Sequence, residues 1–262
     1  MKLSVVIPAF NEADSIAGTV RSIYAALKSA GISHEIVVID DHSSDATWKN
    51  IHVLESEVRT LRGERNRLSR GYGMAVRAGL EIISGNVVCV MMADGSDSAR
   101  DLVAYYRQLV CSGADCVFGS RFIDGSRVSG YPVHKLIMNR LLNTLIRYLF
   151  GIRYNDTTNA FKMFRREVIE GVQPLLSRHF NLTVELPLKA IVRGYSFAVI
   201  PISWQQRKSG VSKLKLKEMG SRYMFIILYC FLEKWLARGD YHRTSLEPAA
   251  LVQSRRKRSP VK

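Results

Sequence analysis

Three apolar, strand-like runs in the first hundred residues break off into acidic or amide-rich turns. Residues 3–7 lead into Pro8-Ala9-Phe10-Asn11-Glu12, residues 35–39 into Asp40-Asp41, and residues 87–92 into Ala93-Asp94-Gly95-Ser96-Asp97. Uncharged runs rich in valine read as strands buried on both faces, and open α/β sheets place their ligands at the carboxyl ends of the strands. Carboxylates brought to one sheet edge repel one another unless donors or a cation take up their charge. A ribose, a base edge or a metal ion would do so. Asp94 and Asp97 are the carboxylates of the third run, with Ser96 between them. Asp97 has the alternative of capping the helix expected from about residue 99.

The elements that must position these groups alternate. Helical patterns follow each run, to about residue 30 after Asp14-Ser15, to about residue 58 after Ser43-Ser44-Asp45, from Gly71-Tyr72-Gly73 to residue 83, and over residues 99–111. A short strand is expected at 115–119. Strands alternating with helices of this length predict crossover units and a mostly parallel sheet. Beyond Gly119 the alternation stops. Residues 121–130 read as a loop, 134–150 as an amphipathic helix with Ile137, Leu141, Leu145 and Leu149 on one stripe, and 160–164 as a strand. That stripe suits a helix facing the core, with a membrane surface as the alternative. Helices near 166–176 and 184–193, a strand at 196–203, a polar loop at 205–213 and a last helix to residue 236 complete the pattern. The expected organisation is one domain over residues 1–236, in two halves (1–119 and 120–236), with a basic, disordered tail (237–262).

Composition narrows the partners. A net charge of +15 over 262 residues is uneven, since residues 201–262 carry 14 basic against 4 acidic residues, a net of +10. This asks for an anionic partner, and a membrane surface fits better than nucleic acid because no reading motif or aromatic interleaving accompanies the charge. Cys89, Cys111, Cys116 and Cys230 show no paired spacing and read as reduced thiols of a cytosolic protein. The late apolar run at 223–232 is about half of the ~20 residues a spanning helix needs. Peripheral attachment on the cytoplasmic face is therefore expected, with a membrane subunit as a second possible partner.

The Pro8-x-Phe10-Asn11-Glu12 turn and the Asp40-Asp41-x-Ser43-x-Asp45-x-Thr47 segment together resemble the inverting family 2 glycosyltransferases of GT-A fold, a Rossmann-like sheet flanked by helices. The resemblance implies that Pro8, Phe10, Glu12 and Asp40 surround the base and ribose of a nucleotide diphosphate sugar, with Asn66 and Arg70 as a further nucleotide-side element. It also gives Asp94 its role, as a ligand for Mg²⁺ or Mn²⁺ that neutralises the leaving diphosphate, with Ser96 and Asp97 as further candidate ligands. The family's Asp-x-Asp is incomplete here, because Met92 stands where the first aspartate belongs.

Gly119-Ser120-Arg121-Phe122, Asp156 to Lys162 and Gln206 to Lys213 resemble landmarks of the polyprenyl-phosphate glycosyltransferases, the group that includes dolichol-phosphate mannose synthases. Asn159-Ala160 replaces the usual Ser-Gly of the middle landmark. The implied reaction moves a hexose, mannose or glucose, to a polyprenyl phosphate. Such an acceptor is already an anion and needs cationic positioning rather than a general base. Arg121, Lys135 and Asn139 are the expected acceptor-phosphate contacts. Arg207 and Lys213 are expected to hold the diphosphate or acceptor, so Asp94, Arg121 and Arg207 carry the catalytic expectation. Glu185 matches a recurrent family glutamate and equally suits a helix start. Two rivals are a transferase using a saccharide hydroxyl, which would need a carboxylate base, and a non-catalytic nucleotide-sugar binder.

Overall fold

In a computed structural model that describes residues 1–206 and 216–243, the valine-rich runs form the middle of a seven-stranded sheet. β1 (Leu3–Ala9), β2 (His34–Asp40), β3 (Leu61–Arg65), β4 (Val87–Val90), β5 (Cys116–Ser120), β7 (Lys162–Arg165) and β8 (Phe197–Pro201) lie in the order β3-β2-β1-β4-β7-β5-β8. β7 runs antiparallel to β4 and β5, and every other pairing in the sheet is parallel. The order reverses between β1 and β4, so the carboxyl ends of β1, β2 and β4 open on one switch-point crevice.

Alternation along the strands splits the core in two. Leu3, Val5, Ile7, Val87 and Cys89 pack with α1 (Ile16–Ser29), α2 (Thr47–Glu57) and α4 (Ala99–Ser112). Val6, Val37, Ile39, Val88 and Val90 pack on the other face with α3 (Tyr72–Ile82), α6 (Arg166–Gly171) and α7 (Leu182–Val192). Burying each such aliphatic side chain contributes about 1.5–3 kcal/mol, which is why uncharged runs settle at the centre of the sheet.

Four features depart from the sequence expectation. β3 has the sequence Leu-Arg-Gly-Glu-Arg, too charged to read as a strand and tolerated because it is an edge. β6 (Arg127–Ser129), inside a stretch that reads as loop, and β9 (Ser203–Gln205), which splits off the end of the strand expected at 196–203 and runs into the expected loop, pair as a separate parallel ribbon. On α5 (Val133–Phe150) the stripe faces outward except at Leu149, which packs against the core, with Ile137 54% and Leu141 61% exposed. The opposite face, Ile146 and Phe150, packs with α7 and with α8 (Leu216–Leu236). Finally, the folded chain continues past residue 236. Arg243 donates its backbone N–H to Arg193 O at 2.8 Å and its Nη1 to Asp115 Oδ2 at 2.7 Å.

A carboxylate ties the amino edge together. Glu35 on β2 accepts from Ser4 Oγ at 2.5 Å, Ser84 N at 2.6 Å, Gly85 N at 3.1 Å and Lys2 Nζ at 3.2 Å. Burial works against its charge, and these donors outweigh it, lowering its pKa from 4.5 to about 2. A depressed folded pKa adds stability above the unfolded value that disappears as pH falls through the folded one. Melting temperature should therefore fall between about pH 4.5 and about pH 2, and thermal melts of Glu35→Gln should show a shallower fall over that window.

Candidate active site

The two nucleotide-side motifs form one unit. The turn after β1 carries Asn11 at φ 50°, which leaves its neighbouring N–H groups without sheet partners. The segment after β2 supplies them: Asn11 N donates to Ser43 Oγ at 2.9 Å, Glu12 N to Thr47 Oγ1 at 2.7 Å and Ala13 N to Asp45 Oδ2 at 3.1 Å. Burial opposes the Asp45 charge, but Thr47 and the Ala13 N–H overcome it and hold the pKa below its ordinary value. Ser43, Asp45 and Thr47 thus shape the turn.

Asp41 performs a similar task one residue beyond Asp40. It accepts from Asn66 Nδ2 at 2.7 Å and Gly71 N at 2.9 Å, tying the end of β3 to the start of α3. Asp40 is buried beside it. Pro8 lies within β1, and the Arg70 guanidinium stacks 3.8 Å from the Phe10 ring centroid. Pro8, Phe10, Glu12, Asp40 and Arg70 are thereby placed around one group of neighbouring strand ends. At Gly71, with φ 146°, and Gly73, an added Cβ would lie 2.5 Å from Arg178 O and Ser177 O. Glycine there lets the 177–178 backbone lie on the α3 amino end.

After β4 the chain turns through Gly95 at φ 71°, which places its acids at different depths. Asp94, half-buried, accepts from Ser96 N at 3.0 Å. Asp97 is buried and accepts from Met92 N at 3.0 Å. The cap of α4 is Ser98, whose hydroxyl accepts from Arg100 N at 3.2 Å. Asp97 is therefore turned inward and does not cap the helix. Burial first and the Asp94 charge further push its pKa up to about 7, against the Met92 N–H and Arg121.

Two crowded carboxylates and the Ser96 hydroxyl are hard oxygen donors whose mutual repulsion a cation would relieve. Among the described residues no group of three or more His, Cys, Asp or Glu side chains could hold a metal. The donor set fits Mg²⁺ or Mn²⁺ completed by substrate phosphates and water, the usual mode for such ions.

Opposite this turn stands Arg121, just beyond β5, with its side chain 8% exposed. Nε donates to Asp156 Oδ2 at 2.8 Å and Nη2 to Asp156 Oδ1 at 2.7 Å, a bidentate pair on a fully buried carboxylate. Nη1 is directed at the Tyr131 hydroxyl, 3.4 Å away. Burial opposes the guanidinium charge, and Asp156 more than restores it, raising the pKa. Trp204 on β9 lies 4.9 Å from the Tyr131 ring and bridges to Asp97, joining the acceptor side to the acidic turn. Asn139 on α5 donates to the same Tyr131 hydroxyl at 2.8 Å, and Lys135 lies one turn earlier on that helix. Arg207 and Lys213 lie outside the described residues. The sequence marks Asp156 as the start of a landmark but does not pair it with Arg121, and it gives Tyr131 and Trp204 no role, the signal at Tyr131 being an aromatic beside Pro132 at a helix start.

Glu185 is structural in its contacts. It is fully buried, pairs with Lys189 at 2.8 Å and accepts from Leu176 N and Ser177 N at 2.7 Å each. Breaking a buried pair leaves an uncompensated charge and costs about 3–5 kcal/mol. Chemical denaturation of Glu185→Ala should show a loss of that size.

A family model described as Glycosyl transferase family 2 matches residues 4–172. Polyprenol monophosphomannose synthase of Mycolicibacterium smegmatis is 31% identical over 220 residues, 80% of this chain and 80% of its own. Dolichol-phosphate mannosyltransferase of Pyrococcus furiosus is 32% identical over 222 residues, 83% of this chain but 60% of that longer protein. Among solved structures, glucosyl-3-phosphoglycerate synthase of Mycobacterium tuberculosis superposes with a TM-score of 0.68 at 18% identity, covering 89% of this chain and 79% of that one. At that identity the likeness establishes the fold.

Proposed function

The chain belongs to glycosyltransferase family 2, and on that premise we propose that it transfers a hexose, with inversion, from a nucleotide diphosphate sugar to a polyprenyl phosphate. Mannose is favoured by the named activities of the two relatives described above. The observation that carries the choice of acceptor is the Arg121–Asp156 pair. An acceptor hydroxyl would need a carboxylate to take its proton, yet Asp156 is fully buried and bound at both oxygens by Arg121. A phosphate monoester brings its own charge and asks only to be positioned.

On this reading Phe10, Glu12, Asp40 and Arg70 receive the nucleoside, and Arg121, Lys135 and Asn139 orient the acceptor phosphate for attack on the anomeric carbon. The same reading assigns the diphosphate or the acceptor to Arg207 and Lys213, which lie outside the described residues. Asp94, with Ser96 and Asp97, would hold a divalent cation, which supplies charge neutralisation to the departing diphosphate. Structures of the glucosyl-3-phosphoglycerate synthase with UDP and Mn²⁺ or Mg²⁺ support that choice of ion.

The acceptor's lipid places the protein at a membrane, on the cytoplasmic face. Val133, Ile137, Met138 and Leu141 on α5 and Phe225, Leu228 and Trp235 on α8 are exposed, with Arg140, Arg147 and Lys234 on the same helices. Among the described residues no helix is long and apolar enough to cross a membrane. These faces suit peripheral attachment to anionic lipid, or to a membrane subunit. An acceptor panel tests the reading. Transfer should occur to polyprenyl phosphate and not to neutral polyprenol or free saccharide, and saccharide products would favour the hydroxyl-acceptor alternative.

A further inference from the structure

We propose that Tyr131 is a dedicated hydrogen-bond donor to the acceptor phosphate, its proton turned into the site by a relay of amides that starts at a backbone N–H. The proposal rests on the acceptor reading above and assigns a residue and a direction of donation within it.

A backbone N–H can only donate. That of Thr157 donates to Asn143 Oδ1 at 2.6 Å, which orients the Asn143 amide. Asn143 Nδ2 then donates to Asn139 O at 2.9 Å and to Asn139 Oδ1, and Thr158 Oγ1 donates to the same Oδ1 at 2.9 Å. This orients the second amide too, because flipping Asn139 would set its NH₂ against that of Asn143. The remaining group, Asn139 Nδ2, donates to the Tyr131 hydroxyl at 2.8 Å. Arg121 Nη1 approaches the same oxygen at 3.4 Å.

A phenol oxygen that takes two N–H donors sends its own proton elsewhere. Among the described residues no acceptor takes it. The hydroxyl stands beside Arg121 and next to Trp204, whose backbone meets Asp97, so its proton belongs to the space between the acidic turn and the guanidinium. An anionic oxygen completes that arrangement. Phosphate oxygens reach the site from two sources, the acceptor and the donor diphosphate, and the Arg121 side favours the acceptor.

The test is Tyr131→Phe in the full chain, which keeps the ring against Trp204 and removes the hydroxyl. A hydrogen bond to a charged group predicts an acceptor KM raised about ten- to hundredfold. Donor KM and the binding of neutral polyprenol should be unchanged. Asn139→Asp provides the second variant, because its carboxylate accepts where Nδ2 donated and turns the tyrosine proton inward. It should raise the acceptor KM as well, and its effect in the Tyr131→Phe background should be smaller than its effect alone. An unchanged acceptor KM, a rise in donor KM instead, or additive effects would each overturn the proposal. A wild-type chain that transfers to no polyprenyl phosphate would overturn the acceptor reading itself, and this inference with it.

Discussion

Asp94→Ala should lower kcat/KM by about a thousandfold, about 4 kcal/mol of transition-state stabilisation, while leaving the melting temperature unchanged or slightly higher. The asymmetry follows from the depth of the two acids. Asp94 sits half-buried at the rim, and its charge is one reason the buried Asp97 is held up at about 7. Removing it relieves that repulsion, so lost activity cannot be put down to lost folding. Mn²⁺ titration of activity should also show a weaker apparent affinity. Asp97→Ala is the contrasting variant, since Asp97 accepts the Met92 N–H inside the turn and its loss should lower both activity and stability. Equal melting temperatures with full activity in Asp94→Ala would remove the residue from the site.

The second large effect is expected at Arg121. Arg121→Ala leaves the Asp156 carboxylate buried and unpaired, and should cost about 3–5 kcal/mol of stability in denaturant titrations. Acceptor use should be lost as well, because the guanidinium links Asp156 to the Tyr131 hydroxyl. Asp156→Ala should cost a similar amount, and the double variant should fall short of the sum by about 1–3 kcal/mol, the signature of a coupled pair. Arg121→Lys keeps a charge but not two parallel N–H groups and should rescue only part of either loss. Additive stabilities would mean that the pair does not act as a unit.

What the chain discloses before folding depends on whether a signal is local. β1, β2 and β4 are legible because the stretches buried on both faces must be apolar, and Asp94 follows from where such a run ends. The Ser43 to Thr47 segment is legible as a motif, yet its work of satisfying the Asn11, Glu12 and Ala13 N–H groups appears only in three dimensions. β3 is hidden because an edge strand tolerates charge, and β6 and β9 because each is three residues long and exists only through its partner. The α5 stripe shows why periodicity misleads: it reports that a helix is amphipathic, not which medium covers its apolar side. Tyr131 is harder still, since the direction of its proton is set by Thr157, a residue 26 positions away in the chain.

The most direct test supplies the purified chain with Mg²⁺ or Mn²⁺, polyprenyl phosphate and a panel of labelled nucleotide sugars, and measures label in the extracted lipid. Lipid-linked hexose from one donor, absent with Asp94→Ala, is the predicted result. Metal-dependent donor binding without lipid-linked product from any donor would contradict the account.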